Sequence, residues 1–405
     1  MTDLYNAGLE ERIGAHKRKR LSVRYFDQCK QITDLRKEFP ELAEVDLRVL
    51  RSPLNRLNKA FQGFFSRVKN GQTPGFPRFR AKRRYRSFEV DDAPGPMLKF
   101  GQNGKVRIRI KGLPSVSFKP NRELPPIEDL KVLRIVRTAK RTEVQLVYRI
   151  DVPEPIRAED AVSPVGIDLG VLNLVALSDG TKVPGRNPER KRIKRVQRKL
   201  SRAKRGSNGR QKICDQLARA WQTEKERNRG YLHERSREIV DEHDQIVAED
   251  LQILNLTRSA KGTVAKPGSN VGAKAGLNRS IHDQGWGTLV RMLDDKAERA
   301  GRRLDLVPPH HTSQDCSGCG RRVLKKLSVR VHRCDGPDGC GLVLDRDVNA
   351  AVNVLRRGLS SPPGGTVPGE VGGTFETNRR KTTGSSPSGP GPARPVDPEP
   401  YTEVA

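Results

Sequence analysis

Apolar residues in the first 70 positions recur at helical spacing. Leu50, Leu54, Leu57, Ala60, Phe61 and Phe64 form one stripe along a helix, which predicts a small helical domain facing a core. From Lys105 the period changes to two. Val106, Ile108 and Ile110 alternate with Arg107, Arg109 and Lys111, and Val144, Leu146, Tyr148 and Ile150 repeat the alternation. Half-buried antiparallel strands with a basic outer face are therefore expected between 90 and 155.

A proline-containing joint, DVPEPIRAEDAVSP, then leads into VGIDLGVLNLVALSDG. Its two strand-like runs around Gly170, closed by the turn Ser178-Asp179-Gly180, predict a hairpin. Ile193, Val196 and Leu200 return to helical spacing. A second helix is expected over about 211–243 through Leu217, Trp221 and Leu232, and IVAED reads as a short buried strand. Asn255 to Gly285, rich in Gly, Ser and Lys and without periodicity, reads as a mobile loop. Trp286 to Ala300 reads as a helix and LDLV as a strand. At the far end of the chain Gly, Pro, Ser and Thr dominate, so 358–405 is expected to be a disordered tail.

Charge changes the picture from fold to partners. The 405 residues hold 78 Lys and Arg against 48 Asp and Glu, a formal charge of +30. A surface this cationic favours a polyanion, and counterion release puts nucleic acid ahead of a membrane surface. No run of about 18 apolar residues is present, and the start, MTDLYNAGLEERIGAHKRKR, has no apolar signal core, so an intracellular protein is expected. Two segments concentrate the charge. In Pro74–Phe88, Phe76, Phe79, Tyr85 and Phe88 interleave with Arg78, Arg80, Lys82, Arg83, Arg84 and Arg86. That pattern suits stacking on bases with phosphate contact, and equally a basic loop anchored by its aromatics. Between Lys182 and Lys212 lie fourteen Lys or Arg and one acid, Glu189. At this density Lys191, Arg192, Lys194, Arg195, Arg198 and Lys199 read as the phosphate-facing side of a helix.

Four of the six cysteines form the pattern Cys316-x2-Cys319-x14-Cys334-x5-Cys340, while Cys29 and Cys214 stand apart and read as small buried side chains. Clustered thiols in a reducing compartment point to a closed, structural tetrahedral zinc site. The second knuckle is longer than usual, so His332 or His310 is an alternative ligand there. Acids are the other constellation. Asp168 interrupts the apolar run Val165–Gly170, and Glu249 ends Ile246–Glu249. Ionised acids in buried strands are costly unless a cation or hydrogen-bond donors compensate them. With Asp345 or Asp347 as a third, they form a set of oxygen ligands suited to Mg2+, two ions of which can activate water and stabilise the leaving oxygen in phosphodiester hydrolysis.

The segments GIDLGVLNLVALSDG, VAEDLQILNL, HTSQDCSGCGRR and LDRDVNAAVNV together resemble the TnpB family, transposon-encoded relatives of type V CRISPR effectors that are often described as transposases. NKAFQGFFSRVKNGQTPGFPRFR, KRIKRVQRKLSRAKRGSNGR and WGTLVRMLDDKAERAGRR resemble the family too, so the likeness runs from about 4 to 357. It implies an α/β fold with all-α and β-barrel parts. The expected domains are a helical recognition domain over 1–89, shortened at its N-terminus; a small β-barrel over 90–160; an RNase H-like, RuvC nuclease domain over 161–309; an inserted zinc ribbon over 310–344; and a final nuclease helix over 345–357. It implies Asp168, Glu249 and Asp347 as catalytic Mg2+ ligands, with Asp345 as a neighbour, and Cys316, Cys319, Cys334 and Cys340 as Zn2+ ligands. By this likeness the protein is a Mg2+-dependent, RNA-guided DNA endonuclease whose partners are a guide RNA and target DNA. It would cut next to a short adjacent motif and work in the cytoplasm, at the nucleoid, of a bacterial or archaeal cell. Guide pairing reads sequence in such an enzyme, which accounts for abundant Arg and Lys without a base-reading helix. The stretch 255–285 would then serve as a lid, with Gly268, Gly272 and Gly276 as its soft points. Two alternatives stand beside this reading: a guided repressor that holds DNA without cutting, and a transposase acting directly in strand transfer. The second ranks lower because no nucleophile sits in a supporting motif.

Overall fold

The computed structural model describes residues 1–91, 94–326 and 328–360. Helices α1 (Thr2–Lys19), α2 (Tyr25–Glu38), α3 (Pro40–Ala43) and α4 (Leu47–Lys69) open the chain. Asp46 caps α4 by accepting from the Arg48 amide at 2.9 Å. The expected stripe is buried over its first part: Leu57 packs on Tyr5 and Leu9, and Leu50 and Leu54 pack on Ile32. Phe61 and Phe64 are only half-buried and meet Phe76 edge-on at 5.6 and 5.3 Å.

Strands β1 (Ser87–Val90), β2 (Leu98–Phe100), β3 (Val106–Ile108), β4 (Val116–Phe118), β5 (Leu130–Arg137) and β6 (Thr142–Tyr148) follow. They form two antiparallel three-stranded sheets, β1-β5-β6 and β2-β3-β4, over one core that contains Val90, Leu98, Val106, Ile108 and Leu133. Val49 of α4 enters the same core, and Glu89 of β1 ties the two parts through Lys59 and Arg134.

The remaining elements are β7 (Pro164–Leu169), β8 (Asn173–Leu177), β9 (Lys182–Pro184), α5 (Lys191–Arg202), α6 (Asn208–Glu242), β10 (Gln245–Glu249), α7 (Ile253–Leu256), α8 (Val271–Gln284), α9 (Trp286–Arg299), β11 (Arg303–Val307), β12 (Val331–Arg333), β13 (Val343–Asp345) and α10 (Arg346–Ser360). A five-stranded sheet runs β11-β10-β7-β8-β9. β10 lies parallel to β7 and β11, while β7 and β8 form the expected antiparallel hairpin, to which β9 adds a second antiparallel pairing that the sequence reading did not include.

Strand parity sets what each face carries. Val165, Ile167, Ile246 and Ala248 point into a core shared with Leu232, Ile239, Leu289 and Leu293 of α6 and α9. Val247 points the other way, onto Val354 of α10. Gly166 shares that second face because α10 passes too close for a side chain: a Cβ there would lie 2.1 Å from the Ala351 carbonyl oxygen.

Three expectations need correction. The segment 255–285 is not a loop throughout, because Val271–Gln284 is the helix α8. Among its residues only Ile281 and Gln284 are buried, so its outward Gly, Ala, Ser and Lys carry no apolar period and read as loop. Gln284 Nε2 donates to the Val171 carbonyl at 3.1 Å, and left-handed Gly285 ends the helix. At the other end, α10 continues through Gly358 to Ser360, three residues into the expected tail, because Gly358 is buried against Val247. The rest of that tail, 361–405, lies outside the described residues. Cys214 is half-buried on α6, while Cys29 is buried. Among the described residues no helix is long and apolar enough to cross a membrane.

Candidate active site and metal centre

Asp168 and Glu249 come together by register. Ile167 pairs with Ala248 across the parallel strands β7 and β10, so the next residue of each, Asp168 and Glu249, stands at the neighbouring strand ends. By parity both face α10, whose first turn carries Asp347. The acids interact: Asp168 is held well above the usual carboxylate range, first by burial, then by the charges of Glu249 and Asp347, with Arg346 opposing. Glu249 is buried, and burial pushes its carboxyl up as well, against the hydroxyl of Thr312 and the charge of Arg357. Asp347 lies 3.9 Å from Arg330.

Asp345 has a different task. Its Oδ1 accepts from the amides of Asp347 and Val348 at 2.9 and 3.3 Å, which makes it the N-cap of α10. Its Oδ2 accepts from Lys182 Nζ of β9 at 2.5 Å. Burial would raise its pKa, but Lys182 and the two amides hold it below the usual range.

The four clustered cysteines converge more tightly than the acids. Among the described residues, Cys316, Cys319, Cys334 and Cys340 are the one set of three or more His, Cys, Asp or Glu whose ligand atoms all lie within 4.8 Å of one another. Sulfur separations of 3.6 Å for Cys316–Cys340 and Cys319–Cys334 approach the roughly 3.8 Å edge of a tetrahedron with 2.3 Å zinc–sulfur bonds. The thiols diverge: the Arg321 amide is the first cause that lowers Cys319 to about 7, while at Cys334 and Cys340 a backbone amide is outweighed by burial and the hydrogen bonds among the sulfurs, which push Cys334 up to about 12 and raise Cys340. His332 is fully buried and contacts Lys325, outside the sulfur set, and His310 is exposed. The long second knuckle closes because its extra residues loop out: Cys334 N donates to Leu342 O at 2.9 Å and Gly341 N to Cys334 O at 3.0 Å. Gly336 and Gly341 supply the positive φ values, 98° and 73°.

Side chains that sequence reasoning missed join the two centres. Thr312, buried, donates to Glu249 Oε1 at 2.5 Å. Asn353 donates to the carbonyls of Thr312 and Asp315 at 2.9 and 2.6 Å. Asn349 accepts from Ser317 N and donates to Asp315 O, both at 2.9 Å. The one signal in the sequence was this pair of asparagines four apart within the otherwise apolar run Val348–Leu355, where a polar side chain needs a partner. Lys182 and Thr312 carried none.

The basic candidates are spread over two surfaces. Lys191, Arg192, Lys194, Arg195, Arg198 and Lys199 are all exposed on α5, while Ile193 and Val196 face inward. Arg78, Arg83 and Arg84 are exposed, and Lys82 is exposed 3.7 Å from Asp3. Arg80 is half-buried over the ring of Tyr5 at 5.0 Å, with its amide bonded to Asn6, so it also holds the loop in place.

Residues 145–260 match the family model OrfB_IS605, described as a probable transposase, and residues 286–354 match the Cas12f1-like TNB domain. The chain is 33% identical over 313 residues to "Putative RNA-guided DNA endonuclease InsQ" of Escherichia coli (strain K12), an alignment covering 76% of this chain and 74% of InsQ. The chain belongs to the TnpB family. A second TnpB relative, "Putative RNA-guided DNA endonuclease" of Streptomyces pristinaespiralis, is 31% identical over 88% of this chain and 83% of its own. In structure, the TnpB chain is similar to a chain of a Cas12f1–sgRNA–target DNA complex, with a TM-score of 0.52 and 12% identity over 87% of this chain and 80% of that one. At that identity the likeness speaks for the fold. The TNB match spans all four cysteines and Asp347, and the transposase match spans Asp168 and Glu249, so the two TnpB segments meet at the junction of sheet, ribbon and α10.

Proposed function

We propose that this chain is an RNA-guided DNA endonuclease that hydrolyses phosphodiester bonds at a Mg2+ site held by Asp168, Glu249 and Asp347, in an RNase H-like domain of the RuvC kind. One observation carries the reading: three acids from β7, β10 and α10 stand together on one face of the sheet, where burial and then the charges of Glu249 and Asp347 raise the Asp168 carboxyl above the usual range. Such a cluster costs folding energy without a cation and suits one well. The strand order, three antiparallel strands with two parallel ones added beside β7, supports the fold assignment.

Mg2+ bound there would supply charge to activate water and to stabilise the leaving oxygen. The chain's own residues do the rest. Asp168 would hold that cation as a carboxylate together with Glu249 and Asp347, and the cation's charge would offset the repulsion among the three acids. Asp345 caps α10 and so fixes where Asp347 stands. Cys316, Cys319, Cys334 and Cys340 hold a structural Zn2+ that keeps the ribbon folded against α10. The helical and β parts, 1–160, and the basic face of α5 hold the guide–target duplex by charge and shape, and the former would also meet the adjacent motif. A cytoplasmic, nucleoid-associated site of action follows from that substrate.

The test is to sequence the RNA that co-purifies with the protein and to offer DNA matching its variable end in the presence of Mg2+. Matched DNA is expected to be cut, unmatched DNA spared, and Asp168→Ala to abolish cutting while RNA binding stays near wild type. Cutting at full rate by Asp168→Ala would overturn the site.

A further inference from the structure

We propose that Thr312 is a positioning residue for Glu249, through which the ribbon side of the molecule sets the geometry of the acid site. This inference rests on the reading of the acids given above.

Thr312 lies in the connection between β11 and the first zinc knuckle, one residue after His311, whose left-handed backbone (φ 64°) turns the chain. The side chain is 4% exposed, and its hydroxyl has one proton to give. Glu249 Oε1 lies at 2.5 Å and the Pro309 carbonyl at 3.3 Å, so the proton goes to the carboxylate. The bond engages Oε1, so a cation would be met through Oε2 or through the remaining lone pair of Oε1.

Thr312 is itself held. Asn353 of α10 donates to its carbonyl at 2.9 Å and to the Asp315 carbonyl at 2.6 Å, and Asn349, one turn earlier, takes the Ser317 amide inside the CSGC knuckle. Arg357 reaches from the same helix to the Pro308 carbonyl and the Asp315 carboxylate. One helix thus carries Asp347 and clamps the loop whose hydroxyl orients Glu249. Two of the three proposed ligands are placed by one hydrogen-bonded assembly of α10, the loop and the first zinc knuckle. A hydrogen bond of this kind to a metal ligand characteristically affects metal affinity or rate by about 10- to 100-fold.

The experiment uses the RNA-bound protein as purified, in wild-type, Thr312→Val, Thr312→Ser and Asp168→Ala forms. Mn2+ binding is followed by loss of the free-ion paramagnetic resonance signal, with Asp168→Ala giving the background from RNA, and cleavage is followed against Mg2+ concentration. Valine keeps the shape and removes the hydroxyl. It is expected to raise half-saturating Mn2+, and the Mg2+ needed for half-maximal cleavage, by about 10- to 100-fold, with zinc content and bound RNA at wild-type levels. Serine is expected to restore most of both. Thr312→Ala replaces the valine variant if that one does not fold. Wild-type Mn2+ saturation in Thr312→Val would overturn the positioning role. So would a serine variant as impaired as valine and short of zinc, which would mark a purely structural part. A wild-type protein that binds Mn2+ but cuts nothing would fail as an endonuclease while leaving the Thr312 role to be judged by Mn2+ alone. A wild type binding no Mn2+ beyond Asp168→Ala would overturn both.

Discussion

Lys182 Nζ lies 2.5 Å from Asp345 Oδ2, an ion pair that joins residues 163 apart in sequence and ties the edge strand β9 to the cap of α10. Both side chains are about one-third exposed, so the ion pair itself is worth less than about 1 kcal/mol. The cap is worth more, about 0.5–2 kcal/mol. In denaturant unfolding, Lys182→Met should therefore cost little, Asp345→Ala clearly more, and Asp345→Asn, which keeps a capping oxygen, should resemble Lys182→Met. Equal losses for Asp345→Ala and Lys182→Met would mean that the ion pair outweighs the cap.

The raised carboxyl of Asp168 predicts a pH-dependent stability. A carboxyl whose pKa rises on folding makes the folded state bind the proton more tightly. Stability contributed this way is lost as pH climbs from the ordinary carboxylate range through the folded value. In metal-free protein Asp168→Asn should melt above wild type at pH 8, by on the order of 2 °C per kcal/mol relieved, and the gap should close toward pH 4. Added Mg2+ should raise the wild-type melting temperature and leave the variant unmoved. Identical melting curves for the two proteins at every pH would remove Asp168 from the acid cluster.

Elemental analysis should find one zinc per chain. Chelation or Cys316→Ser should release it and unfold the ribbon, seen as protease sensitivity between 310 and 345 while the β2-β3-β4 sheet, remote in sequence, stays protected. Protein with no zinc and an intact ribbon would refute the metal centre.

The exposed face of α5 predicts a salt signature. Replacing Lys191, Lys194, Arg195 and Arg198 by Gln should weaken RNA binding. It should also flatten the plot of log affinity against log salt by about 0.7–0.9 for each phosphate that the variant no longer neutralises. An unchanged slope would show that this face meets solvent only.

Gly358→Ala sets two effects against each other. Alanine is the better helix former by about 1 kcal/mol, but its Cβ would sit 2.5 Å from both Cγ atoms of Val247, a stiff β-branched side chain in the central sheet. Overpacking of this kind costs about 1–3 kcal/mol, so net destabilisation is expected. A rise in melting temperature would show that α10 can shift away from β10.

The chemistry of the site was legible before its geometry. The CSGC knuckle stands out because a zinc ribbon places its ligands by local turns, and the sulfurs do converge. Asp168 and Glu249 stand out because an acid at the end of an apolar strand run breaks a pattern that hydrophobic burial otherwise makes continuous. α8 was missed for the converse reason: a helix that buries little beyond Ile281 and Gln284 leaves almost no period in its sequence.

The order of residues alone therefore determined the hairpin of β7 and β8, the helices whose stripes face a core, the cysteine set and the family resemblance, since each is read from short motifs and their spacing along the chain. The tertiary structure decided the task of Asp345. The family resemblance already pointed to Asp347 as the ligand, and the fold adds that Asp345, two residues earlier, caps α10 and pairs with Lys182 of β9. It likewise decided that Thr312 meets Glu249, a pairing of residues 63 apart that neither composition nor periodicity encodes. Such pairings are set by where α10 docks on the sheet, and that depends on a bare Gly166 and a buried Gly358, whose meaning lies in the space their missing side chains leave.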